Sequence, residues 1–199
     1  MMLVEETTVP DAALPVAEFK AHLRLGTGFA EDGAQDGLLR SFLRAALAAI
    51  EARTGKVLIE RDFSWVLADW RDPVAQALPV APVTQVHEVA IIDRLGGETV
   101  LAPAQYRLET DMQRPRLAAA AACLPVVPRG GSARLLFRAG FGAGWSGIPS
   151  DLAQAVLLLA AHYYEYRDET ALSRGCMPFG VSSLIERYRT VRLLAGHGR

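Results

Sequence analysis

The chain has 199 residues, 51% of them hydrophobic and 22% charged, with 21 Lys+Arg against 22 Asp+Glu. That length suits one domain with a real core, and that composition excludes a disordered acidic tail or a fibre. A net charge of −1 excludes a globally basic nucleic-acid binder, though not a local basic patch.

Residues 1–15 read as a flexible lead-in, broken by Pro10 and Pro15. Val16, Phe19 and Leu23 keep helical spacing, so a short helix is expected over 16–25, ended by Gly26 and Gly28. A second helix is expected from the acidic stretch 32–36, where carboxylates favour the positive end of the helix dipole. Leu39, Phe42, Leu43, Ala46, Leu47 and Ile50 form its apolar stripe, and Gly55 is its stop.

The period then changes from helical to alternating. Phe63, Trp65 and Leu67 alternate with Ser64, Val66 and Ala68, which predicts a strand within 57–70. Residues 78–82 form a proline-punctuated connector, and 83–93 a second strand. Two glycines mark a turn at 93–97, and short strands follow at 99–101, 106–108 and 116–117. Residues 118–122 fit helix or loop equally. A turn at 129–131 precedes a last strand at 133–138. Five or six short strands in one antiparallel sheet are expected between 57 and 138.

Helices return after Ile148-Pro-Ser-Asp151, with Ser150 as the expected N-cap. Leu152, Val156, Leu159, Ala160 and Tyr163 give an apolar face reaching to about 167. Val181, Leu184, Ile185, Tyr188 and Val191 outline a closing helix. The order helix–helix, strands, helix–helix predicts an α+β fold: a bundle of N- and C-terminal helices with an inserted antiparallel β subdomain. The boundaries are a lead-in at 1–15, helices at 16–56, the insert at 57–138, completing helices at 148–194 and a basic tail at 195–199.

No motif makes a credible catalyst. Gly142-Ala-Gly144-Trp-Ser-Gly147 fits GxGxxG, but a dinucleotide site needs its last glycine inside the helix, and here the helix starts later. A hinge at Gly142, Gly144 and Gly147 is the better reading. His162 and Glu165 share a helix face without a second Glu-x-x-His, so no metal site is expected. Cys123 and Cys176 are too far apart in sequence for a CxxC pair. The apolar run at 155–161 is far short of the ~20 residues that span a bilayer, and no secretion signal is read at the N-terminus.

Charge is lopsided. Residues 1–36 hold seven acids and two bases, and no acid follows Glu186 whereas Arg187, Arg189, Arg192 and Arg199 do. Glu18, Glu31, Asp32 and Asp36 are therefore an expected acidic face between subunits. Arg187, Tyr188, Arg189, Arg192 and Arg199 are expected contacts to a partner.

The residues in order resemble a known family. The segments Val16-Ala-Glu-Phe-Lys-Ala-His-Leu-Arg24, Glu51-Ala-Arg-Thr-Gly55, Leu78-Pro-Val-Ala-Pro-Val83, Phe137-Arg-Ala-Gly-Phe-Gly142, Ala161-His-Tyr-Tyr-Glu-Tyr-Arg167 and Pro178-Phe-Gly-Val181 resemble the phage head–tail connector (head-completion adaptor) family, as in tailed phages and phage-derived gene transfer agents. That resemblance, over roughly 16–192, implies a structural virion protein with no catalysis and no cofactor. It implies a homo-oligomeric ring of about twelve copies at the head–tail junction, assembled in the host cytoplasm. Its partners would be the portal protein above and the next connector, stopper or tail protein below, with DNA passing through unbound and no membrane contact. The basic tail from Arg187 to Arg199 is the expected portal-docking element. The alternative from another class is a DNA-binding packaging accessory factor, using Tyr163, Tyr164, Tyr166 and the C-terminal arginines.

Overall fold

The computed structural model describes residues 2–24, 33–166 and 177–189. Among them are four α-helices, α1 (Val16–His22), α2 (Asp36–Thr54), α3 (Ser150–Glu165) and α4 (Phe179–Ile185). Eight strands complete the set: β1 (Met2–Glu5), β2 (Arg61–Leu67), β3 (Ala75–Ala77), β4 (Val83–Ile92), β5 (Glu98–Val100), β6 (Tyr106–Glu109), β7 (Arg116–Ala119) and β8 (Ser132–Ala139). The fold is α+β, as the sequence pattern predicts. Gly26, Gly28, Glu31, Asp32, Val191, Arg192 and Arg199 lie outside the described residues.

The helices share one core. Phe19 of α1, Leu39, Leu43, Ala46, Leu47 and Ile50 of α2, and Leu152, Ala155, Val156, Leu159 and Ala160 of α3 are buried together with Val181 and Ile185 of α4. Burying a Leu or Ile side chain contributes about 1.5–3 kcal/mol. That face, rather than capping, holds the helices, because neither α2 nor α3 has a side-chain N-cap bond. Ser150, expected as the N-cap, is instead the first helical residue behind Pro149, whose ψ of 139° is extended. Asp151 Oδ1 accepts from the Leu152 amide at 2.9 Å and supplies local pairing at that end. At the other end of α2, Gly55 adopts φ +69° and its amide donates to the Glu51 carbonyl, the expected glycine stop.

The strands form two antiparallel sheets where one was expected. The larger has the order β1-β2-β8-β4-β5 and the smaller β3-β7-β6. Alternation in β2 and β8 buries Phe63, Trp65, Leu67, Ala133, Leu135, Phe137 and Ala139 on one face. They join Leu117 and Ala119 of β7 in a second core. The undecided alanine stretch divides: Ala118 and Ala119 finish β7, and the chain then bends.

The lead-in is the clearest departure from the sequence reading. Residues 2–5 pair with β2 in the register Met2↔Val66 to Glu5↔Phe63. The chain then straps across to the bundle. The Glu6 amide donates to the Asp62 carbonyl (2.8 Å), Val9 and Leu14 enter the helical core, and Arg44 bonds the Val9 carbonyl (2.9 Å) and Asp11 (2.5 Å). A four-residue strand carries too little periodicity to show in sequence, and its stability comes from a partner some sixty residues away.

The two cores meet beside Glu51. Its Oε1 accepts from the Leu58 amide (2.7 Å), and its carboxylate grips Arg61 at 3.0 and 2.6 Å. Arg61 Nε lies 2.8 Å from Glu5 Oε1 as well, so one guanidinium ties α2 to β2 and β1. Burial opposes the charge on Arg61, but Glu51 and Glu5 outweigh it and raise its pKa.

Candidate assembly surfaces

The C-terminal residues expected to meet a partner divide by environment. α4 stops at Ile185 and tightens into a 3-10 turn over Glu186–Tyr188, after which Arg189 is extended. The tighter turn delivers Tyr188 into the helical core, where it is 3% exposed. Its hydroxyl donates to Asp151 Oδ1 at 2.8 Å and its ring meets Phe141 edge-on at 6.3 Å. Burial and the Asp151 carboxylate raise its pKa. Tyr188 is therefore a packing residue and not a contact surface, which corrects the expectation. Arg187 lies over the Tyr188 ring (4.7 Å) and bonds Asp151 Oδ2 (2.7 Å), with its own side chain largely exposed. Arg189 is exposed and pairs with Glu186 at 3.0 Å. The Arg187 carbonyl accepts from Gln113 Nε2 (3.2 Å), and Gln113 Oε1 accepts from the buried Lys56 ammonium (2.7 Å). The start of the C-terminal segment is thus fastened to both the bundle and the β region.

The expected acidic face is partly neutralised. Asp36 lies 2.6 Å from Lys20 and 3.6 Å from Arg40, whereas Glu18 is exposed on α1. Glu18, exposed and unpaired among the described residues, remains available to a neighbour, but Asp36 belongs to the subunit's own charge pairing.

The glycines expected as a hinge form a pinned turn. The Gly142 carbonyl accepts from the Glu60 amide (2.8 Å), and Gly147 closes a 3-10 turn onto Gly144 (3.1 Å). A Cβ on Gly147 would stand 2.9 Å from Gly142 Cα, so the two glycines are there because backbone meets backbone. The sheet that feeds this turn is antiparallel, unlike the parallel sheet of a dinucleotide-binding fold.

Two of the three tyrosines proposed for base stacking, Tyr163 and Tyr164, pack against the helical core. Tyr164 meets Phe42 edge-on at 6.0 Å, and Tyr163 is half-buried, its hydroxyl pKa pushed up by that burial. Tyr166 is exposed, its ring 4.7 Å from His162. Among the described residues no group of three or more His, Cys, Asp or Glu is placed to hold a metal ion. No helix among them is long and apolar enough to cross a membrane.

Sequence reasoning missed the second face of the large sheet. Opposite the buried residues stand Asp62, Ser64 and Val66 of β2, with Arg134, Leu136 and Arg138 of β8. A bulge in β4 between Val86 and Glu88 turns two successive side chains, His87 and Glu88, toward this face. Arg138 bonds both Asp62 oxygens (2.8 and 3.0 Å), and His87 Nε2 lies 3.0 Å from Oδ1. Arg134 pairs with Glu88 (3.0 Å) and with Glu98. The signal was the polar half of the same alternation that marked the strands, but a bulge is invisible to a strict period of two.

The Arg138 guanidinium holds the Asp62 carboxyl below its ordinary value of 3.8, burial works against this, and His87 adds to it. A depressed folded-state pKa means that ionised Asp62 stabilises the fold above pH ~4. That contribution is lost as pH falls through the lowered folded-state value. Asp62→Asn should therefore be less stable than wild type near neutrality, with the gap closing as pH falls below the ordinary carboxyl value of 3.8. Urea midpoints measured across that range check this, and a gap independent of pH would contradict it.

No family model and no curated protein matches the sequence. Solved structures do. A chain in the neck of an empty gene transfer agent (GTA) particle, computed with C6 symmetry, is 56% identical with a TM-score of 0.90, covering 100% of both chains. A chain in the virion of a native GTA particle is 56% identical with a TM-score of 0.87, covering 98% of this chain and 99% of that one. A chain in the neck of a native GTA particle, computed with C12 symmetry, is 52% identical with a TM-score of 0.84, again over 100% of both. Identity above one half along the whole length cannot arise from a shared fold alone, and the chain belongs to the family of gene transfer agent neck proteins.

Proposed function

We propose that this chain is a structural ring subunit of a particle neck, the connector that joins the capsid's portal to the next protein toward the tail and extends the DNA channel. The observation that supports this reading is full-length identity to chains in GTA necks computed with C6 and C12 symmetry. A ring of about twelve copies fits the second of these. Closed rings need two unlike lateral patches on each subunit. The fold presents a helical face and a sheet face that differ in residues, which is compatible with that requirement.

The C-terminal tail is the portal-docking element in this reading. Arg187 and Tyr188 are bound into the fold by Asp151, so a cut before them would damage the subunit as well as the contact. Deleting residues 190–199 spares those bonds. The truncated chain should melt like wild type yet leave particles whose heads carry no tail, counted by electron microscopy. Normal numbers of tailed particles would sink the docking role.

A further inference from the structure

We propose that the outer edge of β1, with the sheet rows beside it, is one of the two lateral contacts through which a second copy of this chain joins the ring; the inference rests on the ring reading above. β1 ends the sheet, so its outer backbone edge has no strand partner among the described residues. Met2, Leu3 and Val4 are 61%, 37% and 38% exposed. A solvated edge strand is normally blunted by lysine, proline or a bulge, because open amides and carbonyls recruit other strands. β1 has no lysine, proline or bulge and is limited only by its four-residue length, and its single charge, Glu5, is turned back onto Arg61 at 2.8 Å.

The face adjoining this edge is built to lose water. Met2 and Val4 stand in register with Val66 and Ser64, which continue to Arg134 and Leu136 of β8. Most of the charges beside these rows are matched within the chain, Arg138 and His87 on Asp62 and Arg134 on Glu88 and Glu98, and Glu6 adds an exposed carboxylate to the same patch. A charge already held by a counterion loses less on being covered than an unpaired one does. The other large aliphatic or Phe side chains more than half exposed among the described residues, Val74, Leu95, Val100, Met112, Val126 and Phe179, are each single in sequence, although Val100 lies on the other edge strand, β5. Among the described residues only β1 presents three in succession along a free backbone edge.

The occupant is a second copy because relatives at 52–56% identity stand in necks with sixfold and twelvefold symmetry. Each subunit of such a ring must bury two different patches against like subunits. The opposite end of the sheet, β5, carries a different sequence, so the two ends meet the requirement for unlike patches.

The test uses assembled particles. A full-length chain with Val4→Cys, in a Cys123→Ser, Cys176→Ser background, is co-expressed as a minor fraction with the cysteine-free chain, so that rings form from mostly unaltered edges. Purified particles are treated with a benzophenone maleimide and irradiated. The expected product is an adduct of two copies of this chain, at twice 21.5 kDa, identified by mass spectrometry. A cross-link to a different virion protein, or no cross-link although the variant is in the particles, overturns the assignment of β1. Absence of even the wild-type chain from purified particles would overturn the neck reading itself, and is distinguishable because it needs no cross-linker.

Discussion

Glu51→Ala should lower the stability of the subunit by about 3–5 kcal/mol, the usual consequence of removing one member of a buried ion pair. In a chain of this size that corresponds to a melting temperature lower by on the order of 10 °C. The magnitude follows from what is left behind. The side chains of Arg61 and Glu51 are 9% and 14% exposed, so the guanidinium would keep its desolvation cost and lose its main counterion. Glu5, at 39% exposure and one contact, cannot replace it. The Leu58 amide would lose its acceptor in the same step. Glu51→Gln keeps an acceptor for that amide and should cost clearly less than Ala. Urea denaturation of the three proteins checks the series. A loss under about 1 kcal/mol for Ala would mean that the pair is solvated and not a clamp between bundle and sheet.

Gly140→Ala should cost about 3 kcal/mol or more, whereas Gly144→Ala should stay within about 0.5 kcal/mol of wild type. Gly140 has φ +144°, and a Cβ there would fall 2.4 Å from Glu60 Cα and 2.5 Å from Glu60 N. Both are backbone atoms that cannot swing aside, and the Gly140 amide is meanwhile committed to the Pro82 carbonyl at 3.0 Å. A methyl would therefore push apart the strand entry at Glu60 and the exit of β8. Gly144 is extended at φ −152°, with nothing within 4 Å of the added carbon. Equal stability of the two variants, measured by thermal melting, would show that the close approach at Glu60 yields without cost.

These two positions mark where local pattern carries information and where it does not. The Glu51-Ala-Arg-Thr-Gly55 segment was legible as a helix exit, because a glycine stop and an apolar stripe are both encoded within a few residues. That the same glutamate reaches Arg61 was not legible, since nothing in a 3.6-residue period says which strand will lie beside the helix end. In the sequence Gly140 is one residue of Phe137-Arg-Ala-Gly-Phe-Gly142 with no local sign of its role, whereas Gly142, Gly144 and Gly147 suggest a hinge. The structure gives Gly140 the severest contact and leaves Gly144 open. Tyr188 fits the apolar pattern of a longer closing helix and its neighbours in sequence suggest a basic surface, whereas the helix ends at Ile185 and a 3-10 turn carries Tyr188 inside.

By itself the sequence determined the α+β class, the course of α2 and α3, and the strands β2, β4 and β8. Each of these buries a continuous face, and burial imposes a period that the residues must display. The order of its motifs also carried the resemblance to head–tail connectors. Long-range pairing sets the division of the strands into two sheets, the place of residues 2–5 as an edge strand, and the pairing of Asp36, Arg187 and Tyr188 with partners in their own subunit. Those outcomes depend on backbone pairing and charge pairing between residues far apart in the chain. Such pairs leave no periodic trace, because either partner alone is compatible with a solvated loop.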